Sequence, residues 1–110
     1  MKAEYLQNGD AIDFVNGSNK KIEAGEVVKL GSRIGVAGTD IAKGALGSVH
    51  LNGAFVMPKA DSAITIGSDL YFDETNDCVT ATKGSLTVSA GYAAADAAAT
   101  DTMILVRLNG

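Results

Sequence analysis

The chain has 110 residues, of which 46% are hydrophobic, and this is enough for one small domain with a single core. Its 9 basic and 13 acidic residues give a formal net charge of −4, and Lys20-Lys21 is the only adjacent basic pair. A nucleic-acid-binding surface needs clustered lysine and arginine. We therefore exclude nucleic acid as a partner. Because no apolar run approaches the ~20 residues of a membrane span, we expect no membrane contact either.

Cysteine use indicates a fold held together by packing. Cys78 is the single cysteine, so neither an intrachain disulfide nor a pair of thiol metal ligands can form. We expect it to be a small, partly buried hydrophobic residue in a strand. Residues 1–9 lack the apolar segment of a signal peptide, which predicts synthesis in a reducing cytoplasm.

Short apolar runs separated by turn residues predict an all-β domain. In the first run, Ile12 and Phe14 alternate with Asp13, which is the period of a half-buried strand. The chain contains 13 glycines and one proline, a balance that suits tight turns between short strands. The strands predicted before residue 40 span residues 12–14, 27–30 and 33–37.

The Asn52-Gly53 pair predicts a β-hairpin between residues 49–51 and 54–57. Asn-Gly is the dipeptide that best tolerates the positive φ angles of a type I′ turn. Facing residues in such a hairpin pack against one another across the strands. The facing pairs expected here are Leu51 with Ala54, Val49 with Val56, and His50 with Phe55.

Further strand signals continue to the end of the chain. Pro58, the only proline, cannot donate to a strand ladder and is expected to end its strand or lie on an edge. A second hairpin with a four-residue loop is predicted at residues 70–82. Residues 85–92 alternate apolar and polar side chains like a half-buried strand, and residues 103–108 form the last strand.

Residues 93–99 consist of six alanines and Asp96 and allow two interpretations. Alanine has the highest helix propensity. However, the run is far shorter than the ~12–15 residues at which an isolated helix becomes marginally stable. We favour a strand continuation followed by a loop, with one or two helical turns as the alternative.

Two similar sets of motifs divide the chain into halves. Each set opens with Ile-x-x-Gly, at Ile22 and at Ile64, and each closes with Leu-Asn-Gly, at residues 51–53 and 108–110. In the middle, residues 36–38 are matched with residues 89–91, and the second copy has extra residues. Two copies are too few for a solenoid. We therefore predict a single compact domain with two pseudo-repeated halves, either a β-barrel or a β-sandwich, over residues 10–110, preceded by an N-terminal arm at residues 1–9.

The residue types needed for catalysis or metal binding do not form a recognisable set. His50 is the only histidine, and we expect it to pack against Phe55. Most carboxylates lie beside turns, where they hydrogen-bond the local backbone. The acidic loop at 73–77 lacks the spacing of a calcium-binding loop, and residues 38–44 do not match a phosphate-binding loop. We predict a protein that is not an enzyme and needs no cofactor or metal.

Taken in order, the motifs resemble those of the capsid cement, or decoration, proteins of tailed phages, a family sometimes mislabelled as recombinase-like. No single motif is specific, but their order and spacing are. The resemblance covers nearly all of the chain after the first few residues. Its motifs are Asn8-Gly9-Asp10-x-Ile12-Asp13, Ile22-x-Ala24-Gly25-Glu26-Val27-Val28, Ile34-Gly35-Val36-Ala37, Asp40-Ile41-Ala42-x-Gly44-x-x-Gly47, Gly53-x-Phe55-x-Met57-Pro58-Lys59, Gly67-x-x-Leu70-Tyr71-Phe72-Asp73 and Val106-Arg107-Leu108.

The resemblance implies a β-rich virion protein that binds the outer surface of the assembled capsid. Its implied partners are the major capsid protein, whose subunits it bridges, and two further copies of itself in a homotrimer. Tyr5 and Leu6 are the candidate capsid-contacting residues of the N-terminal arm, and a frayed terminus is the alternative interpretation of this segment.

The alternative function, from a different class, is a small carbohydrate- or ligand-binding β-module on a virion or cell surface. Such modules display exposed aromatic side chains, and the chain has only three tyrosines and three phenylalanines. Clustering of Tyr5, Tyr71 and Tyr92 on one surface would favour ligand binding. An exposed, self-complementary apolar patch would favour association between copies.

Overall fold

Nine short strands and no helix make up the described part of the chain, which confirms the all-β prediction. The structure is a computed structural model, and it describes residues 1–2 and 11–108. The described residues therefore contain no helix that is long and apolar enough to cross a membrane. The strands are β1 (Ala11–Val15), β2 (Val27–Leu30), β3 (Arg33–Ala37), β4 (Leu46–His50), β5 (Ala54–Pro58), β6 (Asp69–Asp73), β7 (Cys78–Thr80), β8 (Ser89–Ala93) and β9 (Met103–Arg107).

The nine strands form one sheet built from two similar halves. In the first half the strands pair in the order β1-β4-β3-β2, and in the second in the order β5-β9-β8-β6-β7. A short parallel contact between β3 and β8, at Arg33 and Ser89, joins the halves. Among the described strands, β1 and β5 are not paired with each other, so the sheet does not close into a barrel.

Backbone bridges show that the two halves repeat the same local structure. Ile22 bridges Ile41 in the first half, and Ile64 bridges Ala97 in the second. Three residues after each opening isoleucine, a glycine adopts positive φ, at 88° for Gly25 and 86° for Gly67. An L-residue with a side chain is strained in that conformation, which explains the Ile-x-x-Gly motif.

The hydrogen bonds of these two glycines correct one detail of the predicted repeat. The Gly25 N–H donates to Ala37 O at 2.8 Å, and the Gly67 N–H donates to Ala93 O at 2.7 Å. Ala37 is therefore equivalent to Ala93, and residues 36–38 correspond to 92–94. The predicted match to 89–91 was wrong because β7 and its flanking loops have no counterpart in the first half and displace the second copy. The local Ala-Gly likeness does not reveal the length of this insertion.

Equivalent carboxylates support both turns. Asp40 Oδ1 accepts from the Ala24 N–H at 2.9 Å, and Asp96 Oδ1 accepts from the Ile66 N–H at 2.7 Å. Asp40 thereby joins the loop after β3 to the loop before Gly25, and Asp96 joins the loop after β8 to the loop before Gly67. These two bonds join residues 16 and 30 positions apart, so they are not the local backbone bonds that the sequence predicted. Asp73 and Asp101 do make such local bonds, accepting from the Asn76 and Ala98 N–H groups three residues away.

The predicted hairpin across Asn52-Gly53 is wrong. β4 pairs with β1 and β3, whereas β5 pairs with β9. A type I′ turn needs positive φ at both central residues, but among described non-glycine residues only Asp77 has positive φ. The chain instead bends away at Gly53, whose carbonyl accepts from the Leu108 N–H at 2.9 Å. Pairing with a distant strand therefore overrides the local turn signal.

Other local predictions are confirmed. β6 and β7 form the second hairpin, with Asp73 facing Cys78 across the four-residue loop. β5 ends at Pro58 and, within the described chain, pairs with β9 alone, so it is an edge strand. The alanine-rich run continues β8 to Ala93 and then becomes a loop. Residues 85–88 precede the regular strand, although Val88 and Ala90 are buried as predicted.

Two hydrophobic clusters form the core. The smaller cluster lies in the first half and includes Val28, Ala37, Ile41 and Val49. The larger cluster spans the junction, because residues of β3 pack with residues of the second half. Its buried members are Ile34, Val36, Met57, Ile64, Leu70, Val79, Val88, Ala90, Ala93, Ala97, Ile104, Val106 and Leu108.

Candidate interaction surface

Strands β5, β9 and β8 present a row of exposed apolar side chains on one side of the sheet. Cross-strand partners share a face, and Val56 pairs with Leu105 while Pro58 pairs with Met103. The exposed fractions are 62% for Val56, 37% for Leu105, 44% for Met103 and 38% for Tyr92. We call this surface the β5–β9 face, and it consists of Ala54, Val56, Pro58, Tyr92, Met103, Leu105 and Arg107.

Alternation along the strands explains why this face and the core coexist. The residues between the exposed ones, such as Met57, Ile104 and Val106, point to the opposite side and are buried. Strands with one buried face usually carry polar residues on the other. The β5–β9 face departs from that rule, because apolar side chains also occupy its solvent side.

The equivalent surface of the first half shows that the fold does not require apolar residues there. Ala11 faces His50 on β1 and β4, as Ala54 faces Arg107 on β5 and β9. From this register, the pair Val56–Leu105 corresponds to Asp13–Ser48. The same backbone therefore accepts a polar pair at these positions, so the exposed apolar pair is not a requirement of the fold.

A second, smaller apolar patch lies on the first half. Val15 and Leu46 face each other across β1 and β4, with exposed fractions of 59% and 62%. We call these two residues the Val15–Leu46 patch. They are equivalent to Pro58 and Met103, so both halves carry apolar residues at this end of their outer strands.

The residues considered for metal binding and for nucleophilic catalysis lie in separate surroundings in the described structure. The His50 and Phe55 rings lie 6.4 Å apart between centroids, which confirms the predicted packing although their strands do not pair. Within the described residues, no three His, Cys, Asp or Glu side chains are grouped as a metal site requires. A surface depression at the junction is lined by Lys20, Glu26, Asp77 and Cys78, but His50 does not line it. This depression therefore offers no Cys–His pair for nucleophilic catalysis.

Cys78 is a partly buried strand residue, as predicted. Burial raises the pKa of its thiol, and the nearby Asp73 carboxylate raises it further. Hydrogen bonds from the Asn76 side chain and backbone lower the pKa of Asp73, so this carboxylate stays charged near the thiol. Because the thiolate is the nucleophile, Cys78 is poorly suited to react at neutral pH.

Alkylation should display this property. We expect iodoacetamide to modify Cys78 more slowly at pH 7 than it modifies a cysteine in a short unstructured peptide. The rate of Cys78 alkylation should begin to increase at a higher pH than the rate of peptide alkylation. Mass spectrometry over a pH series measures both rates. The unfolded chain in urea is the matched control and should behave like the peptide. A native rate equal to the control would contradict the raised pKa.

The predicted capsid-contacting residues, Tyr5 and Leu6, lie outside the described residues. Of the described tyrosines, Tyr92 is exposed and Tyr71 is only partly so. Phe14, Phe55 and Phe72 are partly buried. The aromatic cluster expected of a ligand-binding module is therefore not found among the described residues. The exposed apolar faces were missed from the sequence, because the supposed hairpin placed Val56 opposite the buried Val49.

The fold and the surface together define a class of protein: a small all-β domain with an exposed apolar sheet face. A sequence model of the phage cement protein family matches residues 6–108, which is nearly the whole chain. The chain belongs to the phage cement protein family, and it is therefore a structural protein associated with the phage capsid. No curated protein and no solved structure matches it significantly.

Proposed function

We propose that this protein binds the outer surface of the assembled capsid and stabilises the shell by bridging neighbouring subunits of the major capsid protein. The observation that carries the proposal is the family match over residues 6–108. The exposed β5–β9 face supports a role in assembly, because a protein that works through contacts with other proteins, further copies of itself included, needs such a surface. We further propose that it is made in the host cytoplasm and acts on the virion as a homotrimer.

Stabilisation follows from binding alone and needs no chemistry. A ligand that binds only one state of a lattice stabilises that state by mass action, by about 2.7 kcal/mol per site when its concentration is 100 times Kd. A trimer on a rigid lattice engages several subunits at once, so individually weak contacts add up to strong attachment. Preference for the expanded shell would therefore protect it against internal DNA pressure.

The N-terminal arm, residues 1–9, remains a proposed capsid contact. Tyr5 and Leu6 are its largest apolar side chains apart from Met1. They precede β1, which begins at Ala11 at the edge of the sheet. A segment in that position can reach a neighbouring protein without disturbing the described core.

Co-sedimentation with capsids of its own phage tests this proposal. We expect saturable binding to expanded shells and little binding to unexpanded ones, with bound copies in multiples of three per lattice site. Densitometry of the pelleted fractions gives the stoichiometry. Capsids heated with and without the protein should release DNA at different temperatures, higher with the protein bound.

A variant lacking residues 1–9 separates the arm from the rest of the proposal. Loss of capsid binding with an unchanged circular dichroism spectrum would support the arm as a contact. Unchanged binding would remove Tyr5 and Leu6 as candidates and leave the capsid proposal intact. Failure of the full chain to bind either form of the shell would overturn the proposed function and redirect the search to glycan and small-ligand panels.

A further inference from the structure

We propose that copies of this chain associate head to tail, with the β5–β9 face of one copy packed on the Val15–Leu46 patch of the next. These two surfaces are the contacts between copies in the proposed homotrimer, and this assignment rests on that part of the proposed function. The occupant of the β5–β9 face is accordingly a second copy of this chain and not the capsid.

A closed ring of identical subunits needs two different surfaces on each subunit. A two-fold dimer uses one surface twice, whereas a cyclic trimer uses a heterologous contact. The duplicated fold supplies both surfaces. The strands pair along the path β1-β4-β3-β8-β9-β5. One apolar patch lies on the first two strands of this path, and the other lies mainly on the last two.

The charges beside the two patches are complementary. Arg107 is on the same side of β9 as Leu105, two residues further along. Asp13 is on the same side of β1 as Val15, also two residues away. Neither Asp13 nor Arg107 forms an ion pair with another described residue. Both therefore present a charge next to an apolar side chain.

The spacing of these groups is the same on both surfaces. Two residues along a strand correspond to about 6.8 Å. When Leu105 of one copy packs on Val15 of the next, Arg107 can therefore lie against Asp13 if the strands run in compatible directions. An arginine–carboxylate pair at the border of an apolar contact fixes its register more than its affinity.

The area of the contact predicts a modest affinity. Five residues along a strand span about 17 Å, and three strands cover about 10 Å between the outer axes, so the flat area of the face is only about 170 Å². This is small compared with the ~800 Å² per partner of a stable complex. Ring closure uses two contacts per copy and buries both patches, so assembly should depend on concentration and be cooperative.

The decisive variant places one polar residue pair of the first half at the equivalent positions of the second half. Val56→Asp with Leu105→Ser reproduces the equivalent pair Asp13–Ser48, which the fold already accepts. We expect the wild type to assemble at about 100 µM in sedimentation velocity, and the double variant to remain monomeric with at least a tenfold weaker association. Ile66→Ser is the matched control, because Ile66 is equally exposed but lies outside both surfaces.

Charge reversal tests the register. Asp13→Arg and Arg107→Asp should each weaken assembly by about tenfold, and combining them should restore assembly to within about threefold of wild type. Mixing the two single variants should restore assembly only in part, because every mixed contact joins opposite charges but a ring of three always keeps one contact between two copies of the same variant. Failure of the combined variant to recover, while the apolar variant still abolishes assembly, would overturn the assigned register.

The outcomes separate this inference from the capsid proposal. A wild type that stays monomeric while binding capsids would overturn the head-to-tail contact and leave the capsid proposal intact. Normal assembly of the Val56→Asp/Leu105→Ser variant would overturn the head-to-tail contact as well. If that variant also lost capsid binding, the β5–β9 face would be assigned to the contact with the shell. Assembly that responds as expected, without any capsid binding, would sustain the contact and overturn the proposed function.

Discussion

Replacing Gly47 with isoleucine is expected to destabilise the protein by about 3 kcal/mol or more. A Cβ atom at Gly47 would collide with Ile41 Cγ1 and lie 2.7 Å from its Cδ1. Ile41 is only 1% exposed and packs in the smaller core cluster, so it has little freedom to move. Gly47 therefore provides the space that Ile41 fills.

At the equivalent two positions of the second half, the large and the small side chain are exchanged. Ala97 occupies the position equivalent to Ile41, since each forms the bridge to an opening isoleucine. Ile104 is equivalent to Gly47, because Gly47 faces Phe14 as Ile104 faces Met57. The first half thus combines a large residue with glycine, and the second combines alanine with a large residue.

This exchange predicts strong coupling between the two sites. Ile41→Ala alone should cost about 2–4 kcal/mol for the cavity it leaves. Combining it with Gly47→Ile should cost at least ~2 kcal/mol less than the sum of the single effects, because total volume is restored. Urea denaturation of the four proteins measures the coupling. Gly17→Ala is the control for adding a side chain, since nothing lies within 4 Å of a Cβ atom built at Gly17. Additive effects of the substitutions at positions 41 and 47 would contradict the proposed exchange of large and small residues.

Asn16→Asp is expected to lower the free energy of unfolding by about 3–5 kcal/mol at neutral pH. Asn16 is 1% exposed. Its Nδ2 donates to Lys20 O at 2.8 Å and Ile41 O at 2.9 Å, and its Oδ1 accepts from the Ser18 N–H at 3.0 Å. A carboxylate would place an oxygen against two carbonyl oxygens and bury a charge without a cation.

The equivalent residue of the second half shows what this position requires. Lys59 follows β5 as Asn16 follows β1, and it is also buried. Its Nζ donates to Ala60 O and Asp101 O, both at 2.9 Å. Each half therefore needs a buried donor that satisfies two loop carbonyls, and aspartate cannot supply one while it is ionised.

The pH dependence of the Asn16→Asp variant distinguishes charge from shape. Burial disfavours the ionised carboxylate, so the folded state retains a proton at pH values where the unfolded chain has lost it. Its deficit relative to wild type should therefore shrink as the pH falls, in urea denaturation at a series of pH values. Ser18→Ala, which removes only the exposed hydroxyl of this network, should cost no more than about 1 kcal/mol. A pH-independent deficit would attribute the loss to shape.

Much of this protein was determined by its sequence alone. The positions of β2 and β3, the β6–β7 hairpin, the end of β5 at Pro58 and the presence of a duplication were predicted correctly, whereas the start of β8 and the residues matched in the middle of the repeat were not. The correctly predicted features depend on period-two alternation and on the conformational limits of glycine and proline. Both act within a few residues, so a local pattern is sufficient to reveal them.

Only the tertiary structure decided how the strands pair and which apolar residues stay exposed. The sequence predicted that Val49 and Val56 would face each other, yet Val49 is buried on β4 and Val56 is exposed on β5. The exchange between Ile41–Gly47 and Ala97–Ile104 was likewise hidden. Strand partners are selected by burial of surface between segments far apart in the chain. Periodicity determines which side chains share a face, but it does not determine which strand lies alongside or whether that face is covered.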